Sequence, residues 1–192
     1  IRIGVHGHDM HAPVWGMDGK LYFNIGDRGF DVTTKEGQRL YDPHRGGVFR
    51  CNPDGTQLEL FHEGVRNPQG MQFDQFGNLF TVDNDMGAGD KCRVLFLGEG
   101  GDSGWNACNQ IFRNFRNEFD LIQHKTLPPW ISEKLWMQPH ENQPAWINPA
   151  SGHLTKGPSG MEYYPGSGFR AKYKNSFFIC DHRGSASKSS IF

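Results

Sequence analysis

The sequence contains no long apolar run. No stretch approaches the roughly 20 consecutive apolar residues that a membrane-crossing helix requires, and only 36% of its 192 residues are hydrophobic. An excess of one charge is also missing. Lysine plus arginine number 20 against 21 aspartate plus glutamate, which excludes a polybasic protein holding nucleic acid or an anionic membrane by bulk charge. Cysteine is scarce: Cys51, Cys92, Cys108 and Cys180 are the four, with no C-x-x-C and no C-x-x-C-H. Those absences exclude a paired-cysteine zinc module and covalent c-type haem attachment within the chain. Single thiols and a Cys92–Cys108 disulfide, spanning the turn GEGGDSG, both stay open. No initiator methionine or signal peptide precedes the β-type run Ile1–Val5, and Ser190-Ile191-Phe192 reads as the start of a strand. We therefore expect a piece of a longer protein.

What the sequence does have is turn residues and rings: 25 glycines, 11 prolines, and 15 Phe, 5 Tyr and 5 Trp. They are arranged in a repeat. HAPVWGMDGKLYFNIGDRG (His11–Gly29), NPQGMQFDQFGNLFTVDND (Asn67–Asp85) and GPSGMEYYPGSGFRAKYKNSFFICDHRG (Gly157–Gly184) share one plan. Each has a small or Pro-Gly opening, a short apolar strand, a glycine turn, a second apolar strand and an Asp-containing exit. Alternation such as Leu21, Phe23, Ile25 behind a Met17-Asp18-Gly19 turn is the pattern of a β-hairpin. Further strands are expected at Gly47–Arg50, Leu58–Phe61 and Cys92–Leu97. Repeated small antiparallel sheets predict an all-β fold, a β-propeller. At about 40–60 residues per blade the chain would supply about four blades, short of a closed ring.

One segment departs from this plan. Ile111, Phe115, Phe119 and Ile122 recur at helical spacing, predicting a short amphipathic helix. It opens a helix and loop insertion near 109–150 that continues through proline- and aromatic-rich sequence. Residues 1–192 are thus read as one partial propeller carrying that insertion.

Three clusters could carry chemistry. His6-Gly7-His8-Asp9-Met10-His11 groups three imidazoles, which could ligate a metal, supply one general base, or form a hydrogen-bonded loop. In Arg66-Asn67-Pro68-Gln69-Gly70, Pro68 forces Asn67 into extended backbone. Arg66 offers a guanidinium fork to a carboxylate or quinone oxygen, or to an ion pair. Asp83-Asn84-Asp85-Met86-Gly87-Ala88-Gly89-Asp90 is an oxygen-rich, glycine-broken loop of the kind that binds calcium or simply turns. It lacks the ligand spacing of an EF-hand.

These clusters, in this order, resemble the glucose/sorbosone dehydrogenase family, the soluble quinoprotein sugar dehydrogenases. The resemblance is sharpest at HDMHAPVWGMDGKLYFNIGDRG, GVRNPQGMQFDQFGNLFTVDND and GGDSGW. The wording of these motifs, with GVFRCNPDG and GPSGMEYYPG, is most similar to the planctomycete-type "membrane-bound dehydrogenase" propeller proteins. The family implies a six-bladed propeller binding pyrroloquinoline quinone (PQQ) and Ca²⁺ on one face. By resemblance His8, eight residues before the Gly16 of the turn, is the base that takes a sugar hydroxyl proton. Arg66 and Asn67 fall on cofactor-contacting positions, Asn84 stands where the glucose enzymes have a cofactor-binding Gln, and Arg183 is the counterpart of later basic cofactor ligands. Asp85 and Met86 occupy the segment whose backbone carbonyls bind the active-site calcium, in place of the usual Gly-Pro.

The function implied is a quinoprotein-type oxidoreductase acting on a sugar or alcohol, extracytoplasmic or periplasmic, with a c-type cytochrome module as a possible partner elsewhere in the protein. Two other classes stay open. One is a non-catalytic scaffold or glycan-binding propeller, with Trp105, Trp130, Trp136 and Trp146 as stacking surfaces. The other is a calcium-dependent, lactonase-like hydrolase. Neither nucleic acid nor a transmembrane segment belongs to any of these readings.

Overall fold

A computed structural model describes residues 7–87, 89–111, 127–154, 156–182 and 187–192. Its strands are β1 (Met10–Trp15), β2 (Leu21–Ile25), β3 (Phe30–Thr33), β4 (Arg39–Asp42), β5 (Gly46–Cys51), β6 (Glu59–Val65), β7 (Met71–Phe73), β8 (Leu79–Asp83), β9 (Arg93–Leu97), β10 (Gly101–Asp102), β11 (Pro158–Tyr164), β12 (Ser176–Asp181) and β13 (Ser190–Ile191). They form four sheets in the orders β1-β2-β5-β6-β10, β3-β4, β7-β8-β9 and β11-β12-β13. All pairings are antiparallel except the short parallel contact of β10 with β6. This is an all-β fold, part of a β-propeller.

Each of the three repeats forms the first hairpin of a sheet, with Trp15 opposite Leu21, Phe73 opposite Leu79 and Tyr163 opposite Phe177. The expected strands at Gly47–Arg50, Leu58–Phe61, Cys92–Leu97 and Ser190–Phe192 correspond to β5, β6, β9 and β13. The β3–β4 hairpin is an addition between β2 and β5, closed by Gly37 N–H donating to the Thr34 carbonyl. The amphipathic helix falls almost wholly outside the described residues: 108–111 are helical, and 112–126 are not described. Ile1–Val5 also lies outside them. Beyond the gap, a helical turn at Pro129–Ser132 begins on a proline, whose missing N–H would have had no partner within the helix. No disulfide forms: Cys92 is buried, Cys108 is exposed, and all four cysteines are thiols.

Sheets stack through their alternating apolar faces, which is how period-two strands make a core. Tyr22, Val48, Phe61 and Val65 of the first sheet meet Met71, Leu79, Leu95 and Leu97 of the second. Val82 of the second meets Met161 and Ile179 of the third. That second contact is close enough that a Cβ on Gly70 would sit 2.6 Å from the Met161 nitrogen, so only glycine fits. A separate cluster, Met86, Trp105, Trp130, Leu135 and Ile147, seals the loop side.

Two buried polar devices tie the sheets to their loops. Arg93 in β9 and Asp83 in β8 are both buried and pair at 2.6 Å. The Asp83 carboxylate also accepts the backbone N–H of Arg66 at 2.9 Å and of Asn67 at 2.7 Å. Arg93 further donates to the Ser103 carbonyl at 2.5 Å and lies over the Trp130 ring at 4.6 Å. The second device is His62 in β6, whose Nδ1–H donates to the Gly98 carbonyl at 3.0 Å while Nε2 accepts from the Ser103 hydroxyl at 2.9 Å.

Both make predictions. Arg93→Met leaves the Asp83 charge buried without its counterion, which should cost about 3–5 kcal/mol in urea unfolding. The double variant Arg93→Met/Asp83→Asn should recover part of that loss. Burial holds the His62 imidazole below its ordinary value, so the unfolded chain takes up its proton first as pH falls. The contribution of His62 is then complete above about pH 6.5 and declines below it, by at most about 1.4 kcal/mol per pH unit. Replacing His62 by Gln should flatten that limb of the stability profile; an unchanged slope would assign it to other groups.

Candidate functional site

The segments leading into β1 and β7 and the segments leaving β2 and β8 lie at one end of their sheets, because antiparallel pairing sets each lead-in beside its neighbour's exit. Backbone bonds lock them together. Gly26 N–H donates to the Asp9 carbonyl at 3.2 Å, and Asp27 N–H donates to the Arg66 carbonyl at 2.8 Å. A Cβ on Gly26 would stand 2.9 Å from the His8 carbonyl oxygen and 3.0 Å from that of Arg66. Glycine is what lets the His8 and Arg66 segments close on the same turn.

His8 donates from Nδ1 to Asp27 Oδ1 at 2.7 Å. With the carboxylate on that side, the neutral ring carries its proton on Nδ1 and presents the Nε2 lone pair. Asp27 Oδ2 accepts the indole N–H of Trp105 at 2.8 Å. Arg66 sits over the Trp105 ring at 5.5 Å and donates through one terminal nitrogen to Gln110 Oε1 at 2.9 Å. Asn67 donates its amide to Asn84 Oδ1 at 2.9 Å. His8, Arg66, Asn67 and Asn84 are thus brought to one place.

Two atoms in this group are buried and lack a partner among the described residues: Arg66 Nε, a donor, and Asn67 Oδ1, an acceptor. Such atoms are costly unless a ligand or water meets them.

The acidic loop uses its carboxylates internally. Asp83 holds Arg93 and two backbone N–H groups, as above. Asp90 Oδ2 accepts Met86 N–H at 2.8 Å and the Trp130 indole N–H at 2.9 Å. Asp85 is pushed above the ordinary carboxylate range, first by burial and then by the charge of Asp90, while the Cys92 thiol and the Gly87 N–H bond to it. The Met86 side chain is buried in the Trp105–Trp130 cluster. Among the described residues no three His, Cys, Asp or Glu side chains are grouped to hold a metal.

His8 and His11 have separate partners. His11 donates from Nε2 to the Gly7 carbonyl at 2.8 Å, apart from the His8 partner, and His6 lies outside the described residues. Arg183 also lies outside them. Two of the four tryptophans considered as sugar-stacking surfaces are core: Trp105 and Trp130 are buried, Trp136 is partly covered, and Trp146 is exposed.

Asp27 is the residue that the sequence reading passed over, and Trp105 entered it only as a stacking surface. A signal for Asp27 existed. Leu21 and Leu79 hold the same register opposite Trp15 and Phe73, and Asp27 follows the first by the same six residues as Asp85 follows the second. Trp105 carried no such signal, since its partner is 78 residues away.

Among solved structures, the fold is similar to three sugar dehydrogenases. An aldose sugar dehydrogenase from Streptomyces coelicolor, solved with PQQ bound, is 17% identical over 95% of this chain and 49% of its own, with a TM-score of 0.50. A glucose dehydrogenase is 18% identical over 88% of this chain and 46% of its own, with a TM-score of 0.55. A putative oxidoreductase from Thermus thermophilus, described as a glucose dehydrogenase, is 17% identical over 100% of this chain and 53% of its own, with a TM-score of 0.51. At these identities the likeness is one of fold, and the chain spans about half the length of each structure it matches. No curated protein matches the sequence. A family model described as a domain of unknown function, DUF7133, matches residues 4–186, and the chain belongs to that family.

Proposed function

We propose that this chain carries the base and the cofactor arm of a quinoprotein-type oxidoreductase that oxidises a sugar or alcohol with PQQ. The observation that supports it is the convergence of an Asp-oriented histidine with a half-buried arginine and a buried asparagine, each with a buried hydrogen-bonding atom unspent among the described residues. PQQ, rich in carboxylate and quinone oxygens, suits the Arg66 Nε donor. Asn67 Oδ1, an acceptor, suits a cation or a ring N–H. Arg66, Asn67 and Asn84 would hold the cofactor, with Arg183 as a further basic ligand. Ca²⁺ would rest on the carbonyls of Asp85 and Met86.

The chemistry of the chain's own residues follows from their arrangement. His8 Nε2 accepts the proton of the substrate hydroxyl, and the Asp27 carboxylate stabilises the imidazolium that forms. When bound, PQQ would supply the two-electron acceptor that lets CH–OH become C=O. Arg66 places its positive charge where an anionic group would otherwise be buried unpaired, and its platform on Trp105 excludes water from that side. The reading implies an extracytoplasmic setting and an onward electron acceptor, a c-type cytochrome module being the one the sequence resemblance names.

The test uses the full-length protein with PQQ and Ca²⁺, assayed by dye reduction with aldoses and simple alcohols. His8→Ala should lower turnover by about 10²–10⁴-fold while PQQ affinity is kept. Arg66→Met should weaken PQQ binding by about tenfold or more. Wild-type turnover in His8→Ala would end the assignment of the base. Absence of both PQQ binding and dye reduction in the wild type would end the quinoprotein reading, and lactone hydrolysis without an electron acceptor would replace it with a hydrolase.

A further inference from the structure

Trp105 is fully buried, and each of its surfaces meets a different part of the candidate site. Its indole N–H goes to Asp27 Oδ2 at 2.8 Å, its ring lies under the Arg66 guanidinium at 5.5 Å, and it packs edge-to-face with Trp130, ring centres 5.0 Å and planes 85° apart. Trp130 is itself fixed, donating to the same Asp90 oxygen that receives Met86 N–H. The backbone delivering Trp105 is equally constrained. Trp105 N–H donates to the Gly64 carbonyl at 2.9 Å, and Gly104 N–H donates to Asp102 Oδ1 at 2.7 Å.

We propose that Trp105 is the positioning residue that aims the base and the cofactor arm together. A carboxylate bonded through one oxygen can still turn about its own axis. The Trp105 N–H on the other oxygen stops that rotation, and so fixes the line along which Asp27 holds the His8 ring. The face of the same indole carries Arg66 by cation–π attraction, while its terminal nitrogen bonds Gln110 and its Nε has no partner among the described residues. Tryptophan combines a single ring donor with a strongly cation-attracting face. Phenylalanine keeps the face without the donor, and leucine keeps neither, so the two roles are separable. The roles assigned to His8 and Arg66 rest on the quinoprotein reading, but the positioning itself belongs to the chain alone.

The experiment measures solvent exchange of His8 Nδ1–H and Arg66 Nε–H by ¹⁵N NMR in cofactor-free, full-length wild type, Trp105→Phe and Trp105→Leu. Trp105→Phe should speed exchange at His8 by about tenfold or more and leave Arg66 near wild type, whereas Trp105→Leu should speed both. Equal His8 exchange in wild type and Trp105→Phe overturns the orienting role; equal Arg66 exchange in Trp105→Phe and Trp105→Leu overturns the seating role. If either variant fails to fold, Asp27→Asn decides: faster exchange of the Trp105 indole N–H supports the link, and an unchanged rate overturns it. Titrating PQQ into the same proteins separates this from the functional reading. Failure of the wild type to bind PQQ removes the cofactor and leaves the exchange result standing. If PQQ binds, Trp105→Phe should lower kcat with little change in KM, because orientation of the base matters in the transition state and not in substrate binding.

Discussion

The site depends on one buried carboxylate. Asp83 ends β8 inside the protein, where an uncompensated charge would be untenable, and three donors meet it: the Arg93 guanidinium and the N–H groups of Arg66 and Asn67. The pair with Arg93 anchors Asp83 across β8 and β9. The two backbone bonds transmit that anchorage to the lead-in of β7. From there the Arg66 carbonyl holds Asp27, Asp27 holds His8, and the Arg66 side chain spans Trp105. A sheet-internal ion pair thereby sets the positions of residues in another sheet.

The same device recurs in the third sheet, where Asp181 at the end of β12 accepts the N–H groups of Lys156 and Gly157 at 2.9 and 2.8 Å. An exit aspartate binding a lead-in backbone is thus a structural element of this repeat, and acidity at these exits is no sign of a metal by itself. Asp27 differs: it receives two side chains, His8 and Trp105.

Much of the architecture was legible because it is written locally. Leu21, Phe23 and Ile25 behind a glycine turn, or Leu79, Phe80 and Val82 behind another, define hairpins whose partners are only a few residues away. The β3–β4 hairpin was less visible, since Phe30–Thr33 alternates too briefly to stand out. The site was partly legible. His8 and Arg66 are joined through Asp27 and Asn67 bonds Asn84, yet nothing local in the sequence pairs His8 with Asp27, 19 residues away, or Asp27 with Trp105. Trp105 and Trp130 look like sugar platforms in sequence because aromatic residues bind sugars and fill cores with equal ease. Burial decides between those uses, and burial is a property of the packed sheets. Cys92 is a similar case: a disulfide was compatible with its spacing from Cys108, but its thiol is buried against the Asp85 carboxylate.

The central claim is that the unspent Arg66 Nε and Asn67 Oδ1 atoms face a bound quinone beside the His8–Asp27 pair. A crystal structure of the full-length protein grown with PQQ tests it most directly. Quinone density is expected within hydrogen-bond distance of Arg66 Nε, with Asn67 Oδ1 newly partnered and the His8–Asp27 bond retained. Density bound elsewhere, or crystals that take up no PQQ while Arg66 and Asn67 close on water, would contradict it.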